Sequence, residues 1–170
     1  MKIKRSSTLF NTILFIALLL NLVNLKLFEE TIIPIIIIVI FYALGILTFI
    51  IFKNKLGALS PWNHINNFIL CVFVVGSCVT VSFLGINYCF AEKATKNKTY
   101  TIIRKTEIPG PKYNRSKKTP AVIIETEKNS TKRIEFKRSM RAKIDEAHFL
   151  ELELSKGFFN FNIIRGTKLK

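Results

Sequence analysis

The chain has 170 residues, 49% of them hydrophobic and 22% charged, with 26 Lys and Arg against 11 Asp and Glu and a formal net charge of +15. The two kinds of residue are segregated, because 20 of the Lys and Arg lie from Glu92 onward while the apolar excess lies before Ala91. Three uncharged stretches of about 20 residues match the length that spans about 30 Å of hydrocarbon and exclude a soluble single-domain protein, and residues 92–170 have room for one small soluble domain but not for a large multidomain enzyme.

The first apolar stretch runs from Leu9 to Leu25, and Lys26 can snorkel so that Leu27 and Phe28 complete a span over residues 9–28. Lys2, Lys4 and Arg5 would suit the positive region of a signal peptide. The stretch instead ends in Asn24, Lys26, Glu29 and Glu30 with no small-residue cleavage site, so a retained helix is expected. The second span, residues 32–52, carries no charge, and Thr31 with Pro34 makes a helix start because proline in the first turn lacks only an amide hydrogen that would be unpaired anyway. The third covers residues 65–91, with Ser60-Pro61 as an earlier possible start and Trp62 as an interfacial anchor. Lys and Arg around the first two spans favour a cytoplasmic N-terminus, which places the C-terminal domain outside. Lys93, Lys96 and Lys98 after the third span argue the other way, but charges of a long trailing segment weigh less.

Cys71, Cys78 and Cys89 fall on one stripe of the third helix, since spacings of 7 and 11 residues are close to whole turns. Ser82 and Gly85 share that stripe, which reads as a small-residue packing seam for another membrane helix rather than a thiol site. Gly76 and Thr80 form a second small pair on an adjacent face. Asn21 and Asn24 share a face of the first helix and would seek polar partners on a neighbour. No ionisable group lies within residues 32–52 or 65–91, which disfavours a proton or ion pathway.

After Ala91 the pattern alternates. Strands are expected at Tyr100–Glu107, Ala121–Glu127, Lys132–Lys137, Phe149–Ser155 and Phe158–Ile164, rich in β-branched and aromatic residues. Leu150, Leu152 and Leu154 alternate with Glu151 and Glu153, and Lys156-Gly157 predicts a tight hairpin into the last strand. Lys128 to Thr131 predicts a second hairpin turn. Ile108 to Thr119 reads as a loop, and Ser139 to Ala147 as a helical turn or crossover. The expected fold class is therefore an α+β membrane protein: three transmembrane helices (residues 1–91) followed by a small, mostly antiparallel β domain (residues 92–170).

That domain holds 20 basic and 9 acidic residues. Lys112, Arg115, Lys117 and Lys118 crowd one loop, and Lys132, Arg133, Lys137, Arg138, Arg141 and Lys143 crowd another region. Such density would attract an anionic lipid, an anionic envelope polymer or an acidic protein, or else form only a solvated surface. Nucleic acid is a weaker candidate because no recognition motif is present. His64, His148 and the sole aspartate, Asp145, form no recognisable catalytic or metal-ligating pattern, and no cofactor motif appears. The functional expectation is a non-enzymatic, membrane-anchored interaction module, with a small transporter or an accessory subunit of a membrane complex as the competing class.

Overall fold

The computed structural model describes residues 2–60, 62–110, 112–126 and 131–170. The chain divides into two compact units, one made of residues 1–28 and 33–90, the other of residues 29–32 and 91–170.

The first unit is three long helices: α1 (Lys2–Glu30), α2 (Ile35–Leu59) and α3 (His64–Cys89). Each contains a stretch long and apolar enough to cross a membrane: Thr8–Glu30, Ile35–Ala58 and His64–Cys89. α2 begins at Ile35 rather than Ile32: Pro34 is extended and precedes the helix as its cap instead of lying in the first turn, its carbonyl accepting from the Ile37 amide at 3.1 Å. The start of α3 differs from the Ser60-Pro61 expectation. Asn63 caps the helix, its side chain accepting from the Asn66 amide at 2.9 Å, and Pro61 itself lies outside the described residues. Helix α2 also runs past Phe52 through Lys53 and Lys55, two good helix formers on exposed turns.

α2 and α3 approach closely because glycines line their contact. A Cβ on Gly45 would lie 2.6 Å from the Val72 Cα, and one on Gly76 would enter the Tyr42 ring. Phe41 meets Phe83 and Phe49 meets Phe68 in tilted and edge-on pairs at 5.0 and 5.3 Å.

The second unit is a curled five-stranded antiparallel sheet. Its strands are β1 (Thr95–Ile108), β2 (Thr119–Glu125), β3 (Thr131–Glu135), β4 (Phe149–Lys156) and β5 (Asn162–Leu169), in spatial order β3-β2-β1-β4-β5. β1 is twice the usual strand length and serves two partners. Thr95–Thr101 pairs with β4, Ile102–Ile108 pairs with β2, and a register shift between Ile102 and Arg104 marks the bend. Between β3 and β4 lie a 3-10 turn (Arg138–Met140) and α4 (Arg141–Glu146).

The leucine alternation on β4 builds the core: Leu150, Leu152 and Leu154 are buried with Tyr100, Val122, Ile124, Ile134, Phe136 and Ile144. The last hairpin forms, but its turn is longer than expected. Lys156 pairs with Asn162, and Gly157 to Phe161 make the connection with Asn160 at φ 62°, so Phe158, Phe159 and Phe161 belong to the turn and β5 continues to Leu169. The expected turn at Lys128 to Thr131 falls almost wholly on residues 127–130, outside the described residues.

Residues 29–32, between α1 and α2, are part of this unit. Thr31 is fully buried and bridges Ile163 on β5, and the Ile32 amide donates to the Asn162 carbonyl at 2.8 Å. On the other edge of the sheet, Lys132 of β3 donates from Nζ to the Thr31 carbonyl at 3.0 Å. One four-residue segment thus pairs through its backbone with the β5 edge and is reached by a side chain from the β3 edge.

Candidate anion-binding surface

The loop from Pro109 to Lys118 folds on itself. The Lys117 amide donates to Asn114 O and the Lys118 amide to Ser116 O, both at 3.0 Å. Gly110 permits this, because a Cβ there would collide with the carbonyl oxygens of Asn114 and Lys117. Lys112, Arg115, Lys117 and Lys118 are all exposed on it, beside an almost fully exposed Tyr113.

The second basic cluster divides into three places. Arg138 and Arg141, on the 3-10 turn and α4, reach the loop. Arg138 donates from Nη2 to the Lys117 carbonyl at 2.9 Å, and Arg141 pairs with the Glu107 carboxylate, which also takes Lys118 Nζ at 2.9 Å. Two clusters separated by about 20 residues in sequence are therefore joined, Lys118 and Arg141 sharing Glu107 and Arg138 holding the loop backbone. Lys137 and Lys143 are exposed on the same connecting segment, and Arg133 stands on β3 against Glu135 at 3.5 Å.

Lys132 is the exception. It is 7% exposed, and burial pushes its pKa down to about 8, opposed by the charge of Glu29. Alternation explains the difference. On β3, Lys132 and Ile134 are buried while Thr131, Arg133 and Glu135 are exposed, so neighbouring cations sit on opposite faces. Lys132 thus serves the closure of the sheet and contributes no exposed charge.

Lys118 and Arg141 meet on one carboxylate, Glu107, while Arg138 is joined to the same loop through the Lys117 carbonyl and Lys112, Arg115 and Lys117 are exposed on that loop. Exposed pairs of this kind contribute only about 0–1 kcal/mol each, so the cations remain available to an external anion. Among the described residues, no group of three or more His, Cys, Asp and Glu side chains gathers. His148 and Asp145 are exposed.

In the helical unit, Cys71 is buried, Cys78, Ser82 and Cys89 are exposed, and a Cβ on Gly85 would meet nothing within 4 Å. The packed face of α3 is the adjacent one, with Asn67, Leu70, Gly76, Ser77, Thr80, Leu84 and Asn87 buried. Asn21 Nδ2 donates to Ser77 Oγ at 2.5 Å, Asn24 Nδ2 donates to Ser77 O at 3.1 Å, and the Tyr42 hydroxyl donates to Asn21 Oδ1. The polar partner that the two asparagines require is thus supplied by Ser77 and Tyr42. Neither stands out in the sequence, and the one pointer to Ser77 is its place directly beside Gly76, on the face where small residues recur.

The fold and the surface define a class: three apolar helices followed by an antiparallel domain with a concentrated basic surface. No protein-family model, curated protein or solved structure matches the chain.

Proposed function

We propose that the protein is a non-enzymatic, membrane-anchored interaction module whose basic β domain engages an anionic polymer or an acidic protein surface. The observation that carries this reading is the convergence of the Lys112–Lys118 loop with Arg138 and Arg141 around Glu107. A long β1 also separates this surface from the start of the domain. Glu107 follows Thr95 by 12 residues on β1, with a bend at Ile102–Arg104 between them. Lys2, Lys4, Arg5, Lys53 and Lys55 favour a cytoplasmic N-terminus and hence an extracytoplasmic domain. Two crossings, by α2 and α3, would return the chain to the face where residues 29–32 lie, in keeping with the packing of those residues in the β unit.

The test is charge reversal at Lys112, Arg115, Lys117 and Lys118 in the full chain, reconstituted in nanodiscs and titrated with a soluble polyanion such as polyglutamate. The native chain should bind at low salt and weaken as salt rises, because exposed charges are screened over about 8 Å at physiological ionic strength. The reversed variant should lose that binding. Association unchanged by reversal at both low and high salt would refute the reading.

A second reading, an accessory subunit of a membrane complex or a small transporter, draws on the open stripe of Cys78, Ser82, Gly85 and Cys89. Bulky replacements at Ser82 and Gly85 would disrupt assembly with a partner helix under that reading and leave the polyanion titration unchanged.

A further inference from the structure

The turn from Gly157 to Phe161 has no part in the basic surface. Phe158 is 60% exposed and stacks edge-on with Phe159 at 5.0 Å, and the turn is closed by Gly157 N to Phe161 O and Asn160 N to Gly157 O. Both strands at its base hold the chain where it enters and leaves the domain. Lys156 O on β4 accepts from the Glu92 amide at 2.9 Å, and Asn162 O on β5 accepts from the Ile32 amide at 2.8 Å.

These bonds limit how far the turn can stand from a membrane that the helices cross. Glu92 is three residues beyond Cys89, the last of α3, and Ile32 is three residues before Ile35, the first of α2. Three extended residues reach at most about 10 Å. The polar layer of a bilayer is about 5–8 Å deep on each side. β1 runs away from the turn, since Thr95 pairs with Ser155 and the later residues pair progressively further from the hairpin base, and Lys96, Lys98, Glu151 and Glu153 on β1 and β4 exclude that part of the sheet from hydrocarbon. The opposite end carries Phe158, Phe159 and Phe161 on the turn, with Lys156 paired to Glu92 at 3.8 Å and Arg165 bonded to Ser155 at its base.

We infer that the Gly157–Phe161 turn is a lipid-binding anchor, with Phe158 and its neighbours seated among the headgroups and upper acyl chains of the bilayer that the helices cross. Aromatic side chains suit that layer, and Lys156 can extend to the phosphates. The inference rests on the reading that the three helices cross a membrane. Its consequence is orientation: with the aromatic turn down, the Glu107 surface is presented at the end of the domain away from the lipid.

The test uses tryptophan as a depth probe in the full chain. Trp62 is the sole tryptophan, so W62F supplies a silent background. Into it go Phe158→Trp, Tyr113→Trp on the basic loop, and Leu47→Trp at an exposed position within α2. Each is reconstituted in nanodiscs containing lipids brominated either near the headgroup or deep in the acyl chain. Phe158→Trp should show blue-shifted emission, with its greatest loss of intensity from the shallow bromines. Tyr113→Trp should emit as in water and lose nothing, and Leu47→Trp should lose most to the deep bromines. Water-like emission at position 158, or blue-shifted emission that no bromine quenches, would overturn the anchor if Leu47→Trp is quenched, and the membrane reading would survive. Absence of quenching at position 47 would remove the membrane reading and the anchor with it.

Discussion

Replacing Lys132 with Met tests how the β domain is closed. The side chain keeps its length and loses its charge. In the native chain, burial lowers the Lys132 pKa from 10.5 to about 8, even with Glu29 pulling the other way. Between those values the unfolded chain holds a proton on this residue and the folded chain does not, so stability rises with pH across the window, and below about pH 8 the whole cost of the buried charge is present. The interval corresponds to about 3 kcal/mol. At neutral pH, Met removes that cost but leaves the buried Thr31 carbonyl without its donor, worth about 1–3 kcal/mol, so the net change there is small and of either sign. The pH dependence separates the cases. Between pH 7.5 and 10.5 the native chain should gain on the variant by about 3 kcal/mol, which for a domain of this size shifts the difference between their unfolding midpoints by about 10 °C or more. Calorimetry of both full chains in detergent across that range measures it, and parallel midpoint curves would refute the reasoning.

Gly45→Ala should destabilise the helical unit by about 1–3 kcal/mol, because its Cβ would meet the Val72 backbone, whereas Gly85→Ala enters open space and should leave the unit intact; thermal unfolding of the two variants in the same detergent compares them. Neutralising the carboxylate shared by Lys118 and Arg141 with Glu107→Gln should tighten polyanion binding about 1.4- to fivefold at low salt, since releasing the two cations is worth about 0.2–1 kcal/mol. An unchanged Kd would mean that these two side chains do not meet the ligand.

The three apolar helices and the antiparallel domain are legible in the sequence because each rests on a local period: unbroken apolar runs before Ala91, and alternation such as Leu150, Leu152 and Leu154 after it. The length of β1 is not. Thr95 to Thr99 is a polar run, exposed except for the half-buried Lys98 and with no apolar alternation, and it is a strand only because β4 pairs with it. Phe158 to Ile164 has the composition of a strand, and only the positive φ at Asn160 reveals that its first half turns. At the basic surface, the residue types and both clusters are readable, but their union through Glu107 depends on a crossover that no spacing encodes. Charge density groups Lys132 with its exposed neighbours because it disregards which face of a strand a residue occupies. The role of Thr31 lies furthest from view, since its partners are 101 and 132 residues away.

The segment that joins the two sheet edges also bears on how the domain is made. Residues 29–32 are synthesised long before β3 and β5, so the contacts of Thr31 and Ile32 cannot form until the last strand returns to a piece of chain made about 130 residues earlier. Pairings of such long range are slow to form, and until they do, the β5 margin of the sheet is open to another chain. A truncated chain beginning at Glu92 would retain every strand and every core leucine yet lack Thr31 and Ile32. Its newly exposed β5 margin would invite self-association, so excision of the domain for biochemical work would carry a penalty that its own sequence does not disclose.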